Sequence, residues 1–442
     1  MAGPSPAKDP LELKIHDHRP NYRPAEAIVE AARCLYCHDA PCVAACPTGI
    51  DIPGFIRKIS TGNLGGSART ILSANLLGYS CARVCPVEVL CAGACVHHHQ
   101  GREPIAIGRL QRHAVQIALD QGTATSLLRR QPANGKSVAC VGAGPASLAC
   151  AGYLALEGFK CVVFEKRPLA GGLNTTGVAP YKMHLQDSLR EVGLIRDLGV
   201  EIRAGVEIGR DVPPGQLLKE HDAVFVGVGL GPDSRLHIPG EDGPGVMGAT
   251  EWIESLKTEP GYTLPPLRGA VVIGGGNTAI DAARELAHLG VSPVTLAYRR
   301  TRDVMPGYRH ELAQAHLDGV LLMERAVPAE FARRPDGGLA AVRFADGREI
   351  ACDLALVAIG QAHLGELLGA FPGIEINERG CVTVDAATGR TGNPKVYAGG
   401  DAVNGGDLVV TAVQEGKRAA RAICAQLGVT VAHDAPLMAG HR

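Results

Sequence analysis

Two rhythms of apolar residues alternate along the chain. Unbroken apolar runs at 138–141 (VACV) and 270–273 (AVVI) each end at a glycine-rich turn and lead into a segment with helical spacing. Runs of this length predict strands buried on both faces of a parallel sheet, and the order strand–turn–helix–strand predicts βαβ units. SVACVGAGPASLACAGYLALEGFKCVVFEK forms one such unit, with its second strand at 160–164. GAVVIGGGNTAIDAARELAHLGVSPVTLAYRR repeats the plan, with its second strand at 293–298. DAVFVGVGLGP, CDLALVAIGQA and VYAGGDAV are further strands running into glycine, and LVVTAVQEGKRAARAI starts a helix.

Before residue 133 the rhythm is helical only, as in PAEAIVEAARCL and IGRLQRHAVQIALDQ, and a polar linker, RRQPANGK, follows. The expected architecture is α/β: an N-terminal helical domain, then two dinucleotide-binding folds of the Rossmann kind.

Composition narrows the classes. A chain of 442 residues is too long for one ordinary core. Its 46% hydrophobic and 20% charged residues fit a globular protein. A net charge of −1 gives no basis for nucleic acid or an anionic membrane as partner. No run reaches the ~18–20 apolar residues of a membrane span and no apolar leader opens the chain, so a cytoplasmic protein is expected. Structural disulfides are rare in that compartment. Eight of the 14 cysteines fall between Cys34 and Cys95; Cys140, Cys150, Cys161, Cys352, Cys381 and Cys424 lie in apolar surroundings and read as small buried hydrophobes.

The cluster of eight carries chemistry. The spacing is Cys34-x2-Cys37-x4-Cys42-x3-Cys46-Pro, then Cys81-x3-Cys85-Pro, then Cys91-x3-Cys95. Zinc favours paired CxxC knuckles or matched histidines, and only one CxxC occurs. A CxxC run that closes on Cys-x3-Cys-Pro has ferredoxin-type spacing, and eight thiolates supply two [4Fe–4S] clusters. His97, His98 and His99 read as surface residues.

The glycine turns carry the second chemistry. In Gly142-Ala-Gly144-Pro145-Ala146-Ser147, Gly142 permits the turn and Gly144 lets the backbone approach a pyrophosphate at a helix N-terminus. Glu165, at the end of the second strand, can bind a ribose hydroxyl. In the second turn, Gly274, Gly276, Asn277 and Thr278 are the equivalents, but the following strand ends in Arg299-Arg300 instead of an acid. Two readings of that pair stand: a clasp for a 2′-phosphate, or a solvated strand end. Two such folds in one chain point to a held flavin and an exchangeable nicotinamide.

At this point the chain resembles the two-dinucleotide-fold flavoproteins typified by glutathione reductase: GAGPAS with Glu165 matches their FAD fingerprint, and YAGGDA matches their second FAD motif. The resemblance implies an FAD domain at 134–250 and 366–442 with an NAD(P) domain nested at 251–365, behind the helical domain at 1–133. Gly172, Gly400 and Asp401 would then contact FAD, and Ala358, Ile359 and Gly360 would line the nicotinamide. Residues 171–183 contain no cysteine, so the redox disulfide of the disulfide reductases is absent and electrons must leave another way.

The segment from Arg33 to Gln116 resembles the helical domain shared by glutamate synthase small subunits and dihydropyrimidine dehydrogenases. CPTGIDIPGFI and IGRLQRHA are closer to the latter. By position, the resemblance implies one cluster on Cys34, Cys37, Cys42 and Cys95, and another on Cys46, Cys85, Cys91 and Gln111, with Cys81 free, whereas spacing alone selects Cys81 over Gln111. Lys182 matches a basic position near the flavin; an ordinary solvated lysine is the other reading. No barrel-like segment follows the FAD domain, so the resemblance implies a bacterial electron-input subunit in an α2β2-type assembly. Hydride would pass from NADH to FAD, then single electrons through the clusters to an FMN/iron–sulfur partner that reduces uracil or thymine. Arg299 and Arg300 argue for NADPH instead, the nucleotide of the alternative, a glutamate synthase small subunit.

Overall fold

The computed structural model describes residues 11–432. Among them, thirteen strands, β1 to β13 in chain order, form three sheets. The first is β13 (Val396–Ala398), β4 (Ala223–Val226), β1 (Ser137–Val141), β2 (Lys160–Glu165) and β3 (Glu201–Ala204), in that order and all parallel. The second is β5 (Val246–Gly248), β12 (Leu354–Ala358), β6 (Ala270–Gly274), β7 (Val294–Ala297) and β8 (Leu321–Met323), also all parallel. The two share one plan: the strand before the glycine turn lies in the middle, and strand order reverses beside it. Ligands of such sheets bind at that reversal, beyond the strands' carboxyl ends. A third, antiparallel sheet of β9 (Pro328–Arg333), β10 (Leu339–Phe344) and β11 (Glu349–Ala351) has β10 in its centre.

The central strands are continuous apolar runs because helices cover both faces. Every residue of β4, β6, β7 and β12 is buried. In the first unit the helix Pro145–Leu156 follows β1, and the helix Val409–Gln426 lies along it so closely that a Cβ on Gly416 would collide with the Ala146 carbonyl.

The chain divides into two compact units, and their limits differ from those expected. One comprises 11–18, 176–185 and 231–362; the other comprises 19–175, 186–230 and 363–432. The expected limit at 250 gives way to one near Gly231, because β5 pairs with β12 of the nucleotide sheet. The later limit falls at Ala362 instead of 365. The helical region before residue 133 packs into the first sheet's core: Ile71, Leu72 and Val115 lie together with Leu148, Leu154 and Ile195 of that sheet's helices. Lys417 adds a hydrogen bond of 2.9 Å to the Ala74 carbonyl. No helix of the described residues is long and apolar enough to cross a membrane.

Candidate functional site

The first glycine turn is shaped by two different needs. Gly142 has φ +84°, and a Cβ there would stand 2.7 Å from the Gly227 carbonyl, so it must be glycine for the chain to turn. Gly144 has ordinary backbone angles, and its Cβ position is open, with Gly227 O at 3.9 Å. Here the missing side chain leaves room for an approaching group. Gly172 (φ +58°) lies against Gly144, its Cβ position 2.8 Å from the Gly144 Cα, and Gly400 (φ +73°) faces Ala146. Thus Gly142, Gly144, Ala146, Gly172 and Gly400 converge at the carboxyl edge of the first sheet, at the start of a twelve-residue helix with Pro145 in its first turn. The cradle fits a dinucleotide pyrophosphate, which takes the free N–H groups of such a helix start.

Glu165 is buried; its carboxylate accepts from Ala143 N at 2.7 Å and Arg167 N at 2.8 Å. Each oxygen keeps lone-pair capacity for a ribose hydroxyl. Ser147 is wholly buried, and its hydroxyl fills the space beside Gly227, a packing role. Asp401 follows Gly400; burial raises its carboxyl above the usual range. Sequence reasoning missed Glu415, whose carboxylate accepts from Gly400 N at 2.5 Å and holds the second glycine motif in place. Its signal was an acid in the helix after YAGGDA.

The second turn repeats the geometry. A Cβ on Gly274 would collide with the Ala358 carbonyl, whereas Gly276 opens on free space. Asn277 accepts from Tyr308 N at 3.0 Å, and Thr278 is exposed in the first turn of the helix Asn277–His288. Ala358 ends β12, and the exposed Ile359 and Gly360 follow it. Gly307, also missed, donates its N–H to the Gly275 carbonyl at 2.9 Å. Arg299 and Arg300 are exposed beyond β7. Among the described residues neither has an ion-pair partner, and Arg300 lies over the Tyr298 ring at 5.9 Å. The basic strand end is free to meet a phosphate.

The cysteines gather in two sets. Cys34, Cys37, Cys42 and Cys95 line one cleft with Ile52 and Ile56. Burial, together with the charges of Cys34 and Cys95, pushes the Cys42 thiol up to about 12. Cys85 lies among Cys81, Cys91 and Cys46; its hydrogen bond with Cys81, then burial, hold its thiol well above the usual value. Burial disfavours the bare thiolates of Cys42 and Cys85, and a bound cation would favour them. Among the described residues no three His, Cys, Asp or Glu side chains close on a point as a single ion needs. The loop between Cys34 and Cys42 holds Tyr36 and Asp39 at φ +50° and +49°, unusual for residues with side chains. His97, expected at the surface with His98 and His99, is instead buried in this cleft with Nε2 2.9 Å from the Arg33 carbonyl. Gln111 is buried, and its amide N–H donates to the Gly78 carbonyl at 2.6 Å.

Lys182 is neither solvated nor free. Its ammonium pairs with Asp281 at 2.8 Å and Glu311 at 2.9 Å, both in the nucleotide unit that residues 176–185 join. Burial disfavours its charge, and the two carboxylates outweigh that, leaving its pKa raised. Arg284 joins Glu311 at 2.5 Å and Asp318 at 2.7 Å; the Tyr181 hydroxyl donates to Asp281 at 2.7 Å. Lys257, wholly buried, donates to the Val178 and Met183 carbonyls. Together these groups pin 178–183 to the nucleotide fold.

Glu285, beneath Tyr181, accepts that residue's N–H at 3.2 Å, and burial pushes its carboxyl up to about 8. In the unfolded chain it titrates near 4.5. The folded chain therefore binds the extra proton between those values, and stability falls as pH rises from about 4.5 to about 8. Glu285→Gln, which cannot ionise, is expected to flatten that fall and to melt higher than wild type at pH 8. Parallel melting curves against pH for the two proteins would count against it.

Comparison with known proteins agrees with this geometry. Residues 12–123 match the family described as dihydropyrimidine dehydrogenase domain II, 4Fe-4S cluster, and residues 136–416 match the pyridine nucleotide-disulphide oxidoreductases. The chain is 36% identical over 437 residues to the NADPH glutamate synthase small chain of Halomonas elongata, covering 92% of each. It is 34% identical over 417 residues to PreT, an NAD-dependent dihydropyrimidine dehydrogenase subunit of Escherichia coli, covering 94% of this chain and 97% of that one. Thioredoxin reductase of T. acidophilum shares the fold at 22% identity, with a TM-score of 0.54 over 66% of this chain and 99% of that one. The chain is thus an NAD(P)H-dependent oxidoreductase, and it belongs to the pyridine nucleotide-disulphide oxidoreductase family, in the branch that carries an N-terminal 4Fe–4S domain.

Proposed function

We propose that the chain is the electron-input subunit of a pyrimidine-reducing enzyme. It takes reducing equivalents from a nicotinamide nucleotide and passes them to an FMN/iron–sulfur partner that converts uracil or thymine to the 5,6-dihydro product, in an α2β2-type cytoplasmic assembly. One observation carries the reading: two cysteine sets share a core with a flavin-type cradle in a chain whose 171–183 segment lacks a redox cysteine pair. The likeness of CPTGIDIPGFI and IGRLQRHA to dihydropyrimidine dehydrogenases, and the match to PreT along nearly its full length, favour the pyrimidine acceptor.

When bound, FAD supplies hydride acceptance and two [4Fe–4S] clusters supply single-electron transfer. The chain's own residues orient and exclude. Gly142, Gly144, Pro145 and Ala146 present the helix start to the FAD pyrophosphate, and Gly172 and Gly400 close the cradle. Glu165 holds the ribose, and Asp401 the ribityl or phosphate side. Gly274, Gly276, Asn277 and Thr278 receive the nicotinamide nucleotide, whose ring Ala358, Ile359 and Gly360 flank. Cys34, Cys37, Cys42 and Cys95 ligate one cluster; Cys46, Cys85, Cys91 and Gln111 ligate the other. Hydride transfer needs stacked rings at ~3–3.5 Å more than it needs an acid or base, so no general base is assigned. Lys182, held by two carboxylates, acts through the position of 178–183 instead of as a free cation.

A second reading, a glutamate synthase small chain using NADPH, is favoured by the unpaired Arg299 and Arg300 and by the Halomonas relative. Nucleotide preference and the co-purifying chain divide the two. Preference for NADH and an FMN-bearing partner support pyrimidine reduction; preference for NADPH and a large glutaminase-bearing partner overturn it. In either case Arg299→Ala with Arg300→Ala is expected to lower kcat/KM for NADPH about 10- to 100-fold, the worth of one charged hydrogen bond of ~1.5–3 kcal/mol, and to spare NADH. An equal loss for both nucleotides would show a structural role only.

A further inference from the structure

A buried carboxylate ties the flavin-type cradle to the helix beside the second cysteine set. On the cradle side, Gly171 donates its N–H to the Ala143 carbonyl of the first glycine turn at 2.8 Å. Two hydroxyls back it: a Cβ on Gly171 would fall 1.8 Å from Thr175 Oγ1 and 2.9 Å from Ser188 Oγ. Those hydroxyls are 2.8 Å apart, and Thr175 donates to the Ala170 carbonyl at 2.7 Å. Ser188 belongs to the helix Leu185–Asp197, and Glu191 follows one turn later on the same face.

Glu191 is 1% exposed. One of its oxygens accepts from Tyr79 N at 2.8 Å; the other accepts from Ser80 N at 2.8 Å and from the Ser80 hydroxyl. These N–H groups open the helix Gly78–Val84, which holds Cys81, ends at Cys85 and offers its Gly78 carbonyl to Gln111. The first N–H groups of a helix have no partner within it. Here a side chain from one of the first sheet's helices supplies the partner. Tyr79 and Ser80 are buried, so water has little access to take its place. Lys417 and Tyr153 also reach across, but to the carbonyls of Ala74 and Ser73, in a helix that carries no cysteine.

We infer that Glu191 is a positioning residue for electron transfer: by capping the helix Gly78–Val84 from the cradle side, it fixes the distance between bound flavin and the cluster on Cys46, Cys85, Cys91 and Gln111. The inference rests on the flavin and cluster reading above. In the step it serves, reduced flavin loses one electron, an oxidised cluster gains it, and any proton released passes to water. Transfer between two held centres depends steeply on their spacing, so a slackened anchor slows the step before it unfolds the chain.

The test uses the whole chain, prepared anaerobically, with FAD, iron and acid-labile sulfide counted. It is mixed with NADH or NADPH, whichever it prefers; flavin bleaching is followed by stopped flow and cluster reduction by freeze-quench EPR. Glu191→Gln keeps one acceptor oxygen but sets an N–H against the remaining donors. It is expected to hold wild-type cofactor content and to bleach its flavin no more slowly, while the cluster signals rise several-fold more slowly. Ser80→Ala removes one donor and leaves both backbone bonds, so it should show the same separation to a smaller degree, and it decides the matter if Glu191→Gln does not fold. Cluster signals rising at the wild-type rate in both variants would overturn the inference. So would equal slowing of both phases, or lost iron with unchanged transfer in the clusters that remain, either of which makes Glu191 a structural residue only. A wild-type chain without FAD or iron would overturn the reading beneath it, and the inference with it.

Discussion

Lys182→Met is expected to unfold at a much lower urea concentration than wild type at pH 7, with about 3–5 kcal/mol of stability lost. Methionine fills the volume of the lysine stem, so packing is not the cause. The variant leaves Asp281 and Glu311 buried, with side chains 14% and 11% exposed, and short of one cation. Asp281 keeps only the Tyr181 hydroxyl among the contacts described above, and Glu311 keeps Arg284. Removing one partner of a buried pair leaves an uncompensated charge, which is far more damaging than replacing the whole pair with neutral groups. The triple variant with Asp281→Asn and Glu311→Gln should therefore recover much of the loss. The pH dependence has a definite sign. Burial works to raise the Glu311 carboxyl, and Lys182 and Arg284 outweigh it, leaving it below the usual value. Its contribution is therefore present above the unfolded carboxylate range and is lost as pH falls through the folded value. The gap between Lys182→Met and wild type should accordingly narrow in acid. A gap independent of pH would rule out the ion pairs as its source.

Gly144→Ala is expected to fold normally and bind FAD about 10- to 100-fold more weakly, the effect of an added methyl that forces ~1–3 kcal/mol of overpacking against the pyrophosphate. Its backbone angles suit alanine, and the Cβ position is clear of protein atoms to 3.9 Å. Gly142→Ala makes the contrast: a positive φ and a carbonyl 2.7 Å from the new Cβ strain the turn itself. Flavin absorbance after gel filtration, set against the melting temperature, separates the two. Gly144→Ala should lose colour at an unchanged melting temperature, and Gly142→Ala should lose both. Full flavin retention in Gly144→Ala would remove this turn from the binding site.

Much of this was legible in the residues because its causes are local. VACV and AVVI read as central strands since a parallel sheet buries both faces, and the glycines that follow are required by positive φ or by close approach. The six scattered cysteines read as small apolar groups, and all six are buried. What was not legible depends on distant chain. Nothing near Lys182 announces Asp281, 99 residues on, or Glu311. The shared core of Ile71 and Val115 with Leu148 could not be read either, because a helical pattern records that a face is buried and not against what. His97 looked like its two neighbours; only the short helix Val96–His99 turns it inward while His98 and His99 face out.

The position of β13 has a consequence for how the chain is made. The first sheet lacks its edge strand until Val396–Ala398 is synthesised, 170 residues after β4 ends at Val226 (396 − 226). At ~5–20 residues per second, the ribosome leaves that edge open for about 10–30 s. All five strands of the second sheet emerge within the interval, so the inserted unit can complete its sheet before its host does. An exposed β4 edge is then a template for wrong pairing during synthesis, and slow translation or a truncation before Val396 should expose it most.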